Sequence, residues 1–440
     1  MERAELPRKL GLLDSTAIVV GTVIGSAIFL VPNAVAQDLP SVKMVLAVWI
    51  LTGVLSFFGA LAYAELGAMT PSTGGQYVYL RDSFGPLWAF LCGWAFFLVI
   101  QSGGIATLAA GFSIYLSYFV PMGPLYAKLA SVGLISILSY VSYRGVKGGA
   151  AVQKLFTLLK ITGLAILIGS VFVSRQPNAF QWSSPSSGFS WSHFGVAMIA
   201  CLWAYEGWNQ VSFVAGEVKQ PQRNLPLSLG IGMAIVIAIY VTANIAYMKI
   251  LPISEIASTE RVAATVAGRT MGRIGATVVS LTILLSITGA LNGSILTAPR
   301  VYFAQSRDGL FFKKAGEVHP RFQTPHVSIL LQGIWSAILA ISGSYQKLFS
   351  FVIFSAWVFY GMTVAAVVIL RWKYPDRQRP YKMWGYPVTP LLFSAISFWF
   401  VANTVVTTPG PSLIGVLIIA SGVPVYYIWR HKFRIEDGVC

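Results

Sequence analysis

Charge is scarce in this sequence. Only 10% of its 440 residues are Asp, Glu, Lys or Arg, against about 25% in an ordinary soluble protein, so polar groups cannot cover a globular surface. Cysteine is scarce as well. Cys92 and Cys201 lie inside long apolar stretches and Cys440 is the last residue, so no external loop offers a thiol for a disulfide-linked accessory subunit. The four histidines, His193, His319, His326 and His431, are scattered near the ends of apolar segments. With no carboxylate cluster and no Cys/His ligand spacing, a metal centre or a hydrolase site has no support. No cofactor is expected.

Apolar residues are plentiful: they make up 56% of the chain, and mean hydropathy is +0.70. Runs such as 161–173, 231–247 and 277–290 hold no charged residue. A soluble enzyme, a nucleic-acid module and a disordered protein are excluded as whole-chain readings. The runs are too long and too continuous for membrane strands of about 10 alternating residues, and they suit helices of about 20. Only helices satisfy their own backbone over such lengths in lipid. The expected fold class is therefore an all-α membrane protein.

Twelve spans are expected: 14–36, 43–68, 86–119, 124–142, 149–173, 192–217, 227–251, 270–304, 327–343, 348–372, 389–408 and 411–430. The first apolar segment reads as a full span rather than a cleavable signal. The connections near 174–191, 252–270 and 305–326 are too short to hold a soluble domain. With the N-terminus inside, 22 of the 31 lysines and arginines fall in inside segments, 8 fall outside, and Lys160 lies within a span. The positive-inside rule thus predicts a cell-membrane protein with both termini cytoplasmic. Contact with anionic lipid headgroups accounts for the net charge of +16 without a nucleic-acid partner.

Two spans are interrupted. The first reads Gly21-Thr-Val-Ile-Gly25-Ser-Ala-Ile-Phe29 and then Pro32, and the sixth reads Trp203-Ala-Tyr-Glu206-Gly-Trp-Asn209. Gly21 and Gly25 on their own are also spaced for close helix packing. A carboxylate in mid-membrane costs at least about 2.5 kcal/mol, so it is usually functional or faces a cavity. The interruptions open two groups of five spans, 14–173 and 192–372, with 389–430 left over, which is the layout of an inverted-repeat transporter. N–H groups near Gly25, Ser26 and Ala27 can hold a carboxylate, and carbonyls near Val23 and Trp203 can hold an ammonium. Ile24 and Ala204 complete this substrate-binding set. An α-amino acid presents both groups at a short fixed distance, and other small zwitterions are not excluded.

The segments GTVIGSAIF, AYAELGAMTPSTGGQYVYL, AYEGWNQVSFVAGEVKQPQRNLPLSL and LNGSILTAPRVYFAQSRDGLFF followed by VHPRFQTPH together resemble the amino acid–polyamine–organocation superfamily. Within it they resemble the L-type amino acid transporter branch and its bacterial alanine-serine-cysteine exchangers, over nearly the whole chain. The resemblance implies a LeuT-type fold of two five-helix inverted repeats with broken helices 1 and 6, and sodium-independent exchange of small neutral amino acids. It also implies a substrate gate at Trp203. Where the family usually has Gly-Ser-Gly this chain has Gly25-Ser26-Ala27, and the added methyl leans towards small substrates. An ordinary core- or lipid-facing aromatic is the alternative for Trp203.

Glu206 has three open readings: attraction of a cationic side chain, a proton-coupling site, or a cap accepting local N–H bonds. Lys160 matches the branch's TxxK position in Thr157-Leu-Leu-Lys160. By that resemblance its ammonium replaces the sodium ion of coupled relatives, bonded to the carbonyl of Gly21 and the hydroxyl of Ser286. A structural ion pair is the other reading. Glu65 is expected near Arg81 and Arg144, as a gate or as a solvated helix end. Asn292 and Gly293 either approach the substrate or pack, and Tyr240 and Tyr247 are expected in the core. The function expected is alternating-access antiport of amino acids such as alanine, serine and cysteine. A proton-coupled symporter, a carrier of cationic amino acids and a non-transporting sensor stay open beside it.

Overall fold

The computed structural model describes residues 5–180, 190–342, 345–407 and 409–436; Arg3 and Cys440 lie outside the described residues. Among these the regular structure is helical, apart from one isolated parallel bridge between Leu10 and Val218. The first span is two helices, α1 (Leu12–Val23) and α2 (Ala27–Asp38), meeting at 42°. They are followed by α3 (Val42–Met69) and the short α4 (Gln76–Phe84). The third span joins α5 (Pro86–Ala95) to α6 (Gln101–Leu116) through a π-helical turn at Phe96–Ile100. Next come α7 (Pro124–Tyr143) and α8 (Val146–Val173).

The second half starts with α9 (Trp191–Ala204), which gives way after Tyr205–Gly207 to 3₁₀ turns over Trp208–Glu217. Helix α10 (Pro221–Ile250) begins six residues ahead of the expected span, because Pro221 initiates it from a left-handed Gln220. The expected plain connection 252–270 instead carries α11 (Ile253–Ser258) and α12 (Val262–Met271). Then follow α13 (Arg273–Thr297), α14 (Pro299–Arg307), α15 (His326–Ser342) and α16 (Tyr345–Lys373). The chain closes with α17 (Val388–Thr407) and α18 (Pro409–Glu436).

Among the described residues, nine helices are long and apolar enough to cross a bilayer, or ten if the bent α1–α2 pair is one span. The expected spans 192–217 and 327–343 correspond to shorter helices of 14 and 17 residues. The chain is thus a multi-span helical membrane protein.

Small residues let the inner helices touch, as lipid-embedded packing demands. A methyl on Gly21 would come within 2.0 Å of the Gln153 amide, and one on Gly163 within 2.3 Å of Thr282. So α8 presses against α1 on one side and α13 on the other. Near the chain's N-terminus, Lys9 and Leu10 donate backbone bonds to the Glu217 carbonyl. The Glu217 carboxylate is fully buried against Arg300, with Nε–Oε1 at 2.6 Å. Glu65 does not meet Arg81 or Arg144. It pairs with Arg371 at 2.6 Å and Arg379 at 3.7 Å and accepts the Met383 N–H, because the segment after α16 folds back under α3.

Candidate functional site

Both interruptions are real breaks in the helix path. At the first, Ile24 takes an extended conformation (φ −74°, ψ 91°), and the Gly25 N–H turns back to the Val23 carbonyl at 2.8 Å. Helix α2 starts afresh at Ala27, so its first N–H groups have no carbonyl one turn earlier. At the second, Gly207 sits at φ +113°, a region that penalises any Cβ. An added Cβ there would also lie 3.1 Å from the Thr22 backbone. The two breaks therefore face each other at van der Waals distance, and Thr22 Oγ1 bonds the Gly207 carbonyl at 3.0 Å.

A cavity of about 100 Å³ opens between them, lined by Val23, Gly25, Ser26, Ala27, Trp203 and Glu206. Helix α6 contributes Gln101, Gly104 and Thr107 to its wall, and α13 contributes Ala290 and Ser294. Ile24 and Ala204 do not line it; both are buried beside it. A second cavity of about 300 Å³ shares Ser26 and extends past Phe29 and Tyr115 towards Glu260 and Arg261.

The carbonyls expected to be open are engaged. Val23 accepts from the Gly25 N–H and from the Tyr240 hydroxyl at 3.0 Å, and Trp203 accepts from the Glu206 N–H. The Tyr240 hydroxyl also lies 3.0 Å from the Ala204 carbonyl, so this one side chain of α10 ties the two breaks together. Asn292 and Gly293 pack: Asn292 bonds Gly149 and Gln153, and a methyl on Gly293 would strike Thr22 at 2.3 Å.

Among the described residues no local N–H donates to the Glu206 carboxylate, so it does not cap the break. Its carboxylate accepts a hydrogen bond from the hydroxyl of Tyr360 on α16, and among the described residues lining the cavity it is the one acid.

Lys160 is fully buried and reaches three carbonyls, Gly21 at 2.8 Å, Ile24 at 2.5 Å and Ser286 at 2.9 Å. An ammonium has three protons to place, and each has an acceptor here. The expected partner on α13 was the Ser286 hydroxyl; the bond runs to its carbonyl instead. The hydroxyl is turned towards the first break, within 2.9 Å of the Ile24 and Gly25 carbonyls. No carboxylate among the described residues lies within ion-pair distance of Lys160, so it is not half of a structural ion pair.

Tyr360 and Gln101 are not among the residues that the sequence singles out, and Tyr240, expected in the core, is buried there and also bonds both breaks. A hydroxyl or amide inside an otherwise apolar run is their only signal in sequence, and many core residues share it.

A family model described as amino acid permease matches residues 10–429. The serine/threonine exchanger SteT of Bacillus subtilis is 35% identical over 97% of this chain and 98% of its own length. The human b(0,+)-type amino acid transporter 1 is 33% identical over 97% of this chain and 88% of its own. The mouse large neutral amino acids transporter small subunit 2 is 34% identical, with 97% and 82% covered. These relatives are transporters, not enzymes.

Proposed function

The chain belongs to the amino acid permease family, in the L-type branch of the amino acid–polyamine–organocation superfamily, and from that premise we propose that it is a sodium-independent exchanger of small neutral L-amino acids. Twelve helices in a LeuT-type arrangement carry it, with repeats over 14–173 and 192–372, a C-terminal pair over 389–430, and both termini cytoplasmic. The supporting observation is the small cavity between two facing helix breaks, with the Lys160 ammonium fixed beside it. The substrate's carboxylate meets the free N–H groups at Ser26 and Ala27. Its ammonium lies at the Trp203–Glu206 end, and Trp203 and Ala27 limit the size of the side chain. Lys160 brings to the first break the positive charge that a bound cation would otherwise supply, so transport needs no sodium. The name of the Bacillus relative, a serine/threonine exchanger, points to the same substrate class.

The test is uptake of labelled alanine into proteoliposomes in sodium-free buffer, with and without internal amino acid, at two external pH values. Uptake that depends on internal alanine or serine and ignores sodium and pH is the expected result. Uptake into empty vesicles that rises with an inward proton gradient would replace exchange with symport.

One observation favours a second reading, in which cationic amino acids are also carried: the Glu206 carboxylate lines the cavity. On that reading Glu206→Gln lowers lysine competition relative to alanine by about ten- to a hundredfold, as expected for loss of one charge-assisted contact of roughly 1.5–3 kcal/mol. An unchanged lysine-to-alanine ratio in competition assays would remove cationic substrates from consideration.

A further inference from the structure

The polar side chains of the cavity fall into two groups. Around the second break and on α13 they have partners among the described residues, and at the first break Thr22 is bonded while the Ser26 hydroxyl, at the end proposed for the substrate's carboxylate, makes no cap bond. Thr22 donates to the Ile18 and Gly207 carbonyls, Gln210 bonds Ser294, and Glu206 accepts from Tyr360. The α6 wall is different. Gln101 lines the cavity at 5% exposure, and its amide has no hydrogen-bond partner among the described residues. Thr107 lines it too at 5% exposure, and its Oγ1 is buried without a partner. A helical threonine ordinarily returns its hydroxyl to the preceding turn, as Thr22, Thr288 and Thr363 do here. An open polar group on a buried wall is costly in a lipid-embedded bundle, and the Gln101 amide is the one a ligand hydroxyl in the cavity would reach, with the Thr107 hydroxyl closed off beside it.

The backbone aims these groups. The π-helical turn at Phe96–Ile100 adds a residue to the coil and so rotates everything after it. At about 100° per residue, Ile100, Gln101, Gly104, Thr107 and Leu108 then share about 120° of arc, and all five line the cavity. Gly104 is central on this face, and a Cβ there would meet nothing within 4 Å. The wall is thus recessed at Gly104, with the Gln101 amide just before the recess and the Thr107 hydroxyl just after it. Across the cavity stand Gly25–Ala27 and Trp203–Gly207, where the backbone groups of the substrate would be held. A side chain leaving that end points to the α6 recess.

We infer that Gln101, with Thr107 beside it, is a specificity-determining residue that binds the substrate's side-chain hydroxyl, so that hydroxylated small amino acids are the preferred class. The inference rests on the exchange activity proposed above. An amide offers both a donor and an acceptor, so it can match a hydroxyl in either orientation, whereas an aliphatic substrate leaves both unpaired.

The test compares isosteric pairs, serine against 2-aminobutyrate and threonine against valine, as competitors of labelled alanine exchange in proteoliposomes. In the natural protein the hydroxylated member of each pair competes better. In Gln101→Met, which keeps chain length without hydrogen bonding, the ratio within each pair falls roughly three- to tenfold, the worth of one net hydrogen bond. Gln101→Leu serves the same purpose if the Met variant does not fold, and Thr107→Val gives a smaller fall. A natural protein that treats the members of each pair alike, or a Gln101→Met variant with unchanged ratios, overturns the inference while leaving exchange in place. Absence of amino acid exchange in the natural protein is a separate result that removes the function itself.

Discussion

At the first helix break the released carbonyls are taken up by side chains from three other helices. Lys160 of α8 holds Gly21 and Ile24, Ser286 of α13 holds Ile24 and Gly25, and Tyr240 of α10 holds Val23. The second break is made largely within its own segment. Gly207 turns at positive φ, the Glu206 N–H bonds the Trp203 carbonyl, and outside help comes as hydroxyls from Tyr240 and Thr22. One break is thus held by a cation and the other by a turn, and the charge at the second is a carboxylate lining the cavity. A break whose carbonyls answer to a cation depends on that cation to keep its shape. A break built on a glycine turn keeps its shape and leaves its charged group available for other uses.

Removing the cation tests this contrast most severely. Lys160→Ala takes a donor from three buried carbonyls, of which that of Ile24 keeps the Ser286 hydroxyl, and an unsatisfied buried group costs about 1–3 kcal/mol. The exchange rate in reconstituted vesicles should fall by more than about tenfold. The thermal shift produced by saturating alanine should change less, because the ammonium does not line the cavity. An unchanged turnover would mean that the first break does not depend on Lys160.

Tyr240→Phe acts on both breaks at once, since it deletes the single hydroxyl shared between the Val23 and Ala204 carbonyls. The loss of one or two neutral bonds, about 0.5–1.5 kcal/mol each, should lower the melting temperature in detergent by a few degrees and slow exchange. If thermal stability drops and the exchange rate holds, the hydroxyl only packs the breaks and does not coordinate them.

Ala27→Gly is the mildest change, because the backbone at the start of α2 stays as it is. Removing one methyl from a small cavity should improve competition by leucine relative to alanine by roughly tenfold, within the 1–3 kcal/mol that one such group is worth. A ratio that does not move would shift the size limit from the first break to Trp203 at the second.

Much of this architecture is legible in the chain. Apolar runs of about 20 residues allow only helices in lipid, and Gly25-Ser26 and Glu206-Gly207 stand out as interruptions because a glycine there is joined to a polar or charged residue, and charge is rare in such runs. The buried lysine was equally visible, since Lys160 is too deep to reach water. Partners were not visible. The Ser286 hydroxyl and carbonyl lie on the same residue, and only the approach of α8 chooses between them. Proximity in the chain points Glu65 to Arg81 and Arg144, while the fold brings Arg371 and Arg379 from more than 300 positions away. Short helices such as α11 and α12 escaped notice because they are too polar and too brief for a hydropathy signal.

Composition and local pattern, which act residue by residue, suffice for the solvent this protein lives in, the helical class, the two places where helices break, and the family. Only the packing of the helices settles which carbonyls Lys160 neutralises, that Tyr240 joins the two breaks, that Tyr360 occupies Glu206, and that Gln101 and Thr107 lie on the cavity wall. Each of these depends on the distance and rotation between helices far apart in the chain, and in lipid those are set by close packing of small residues such as Gly21, Gly163 and Gly293.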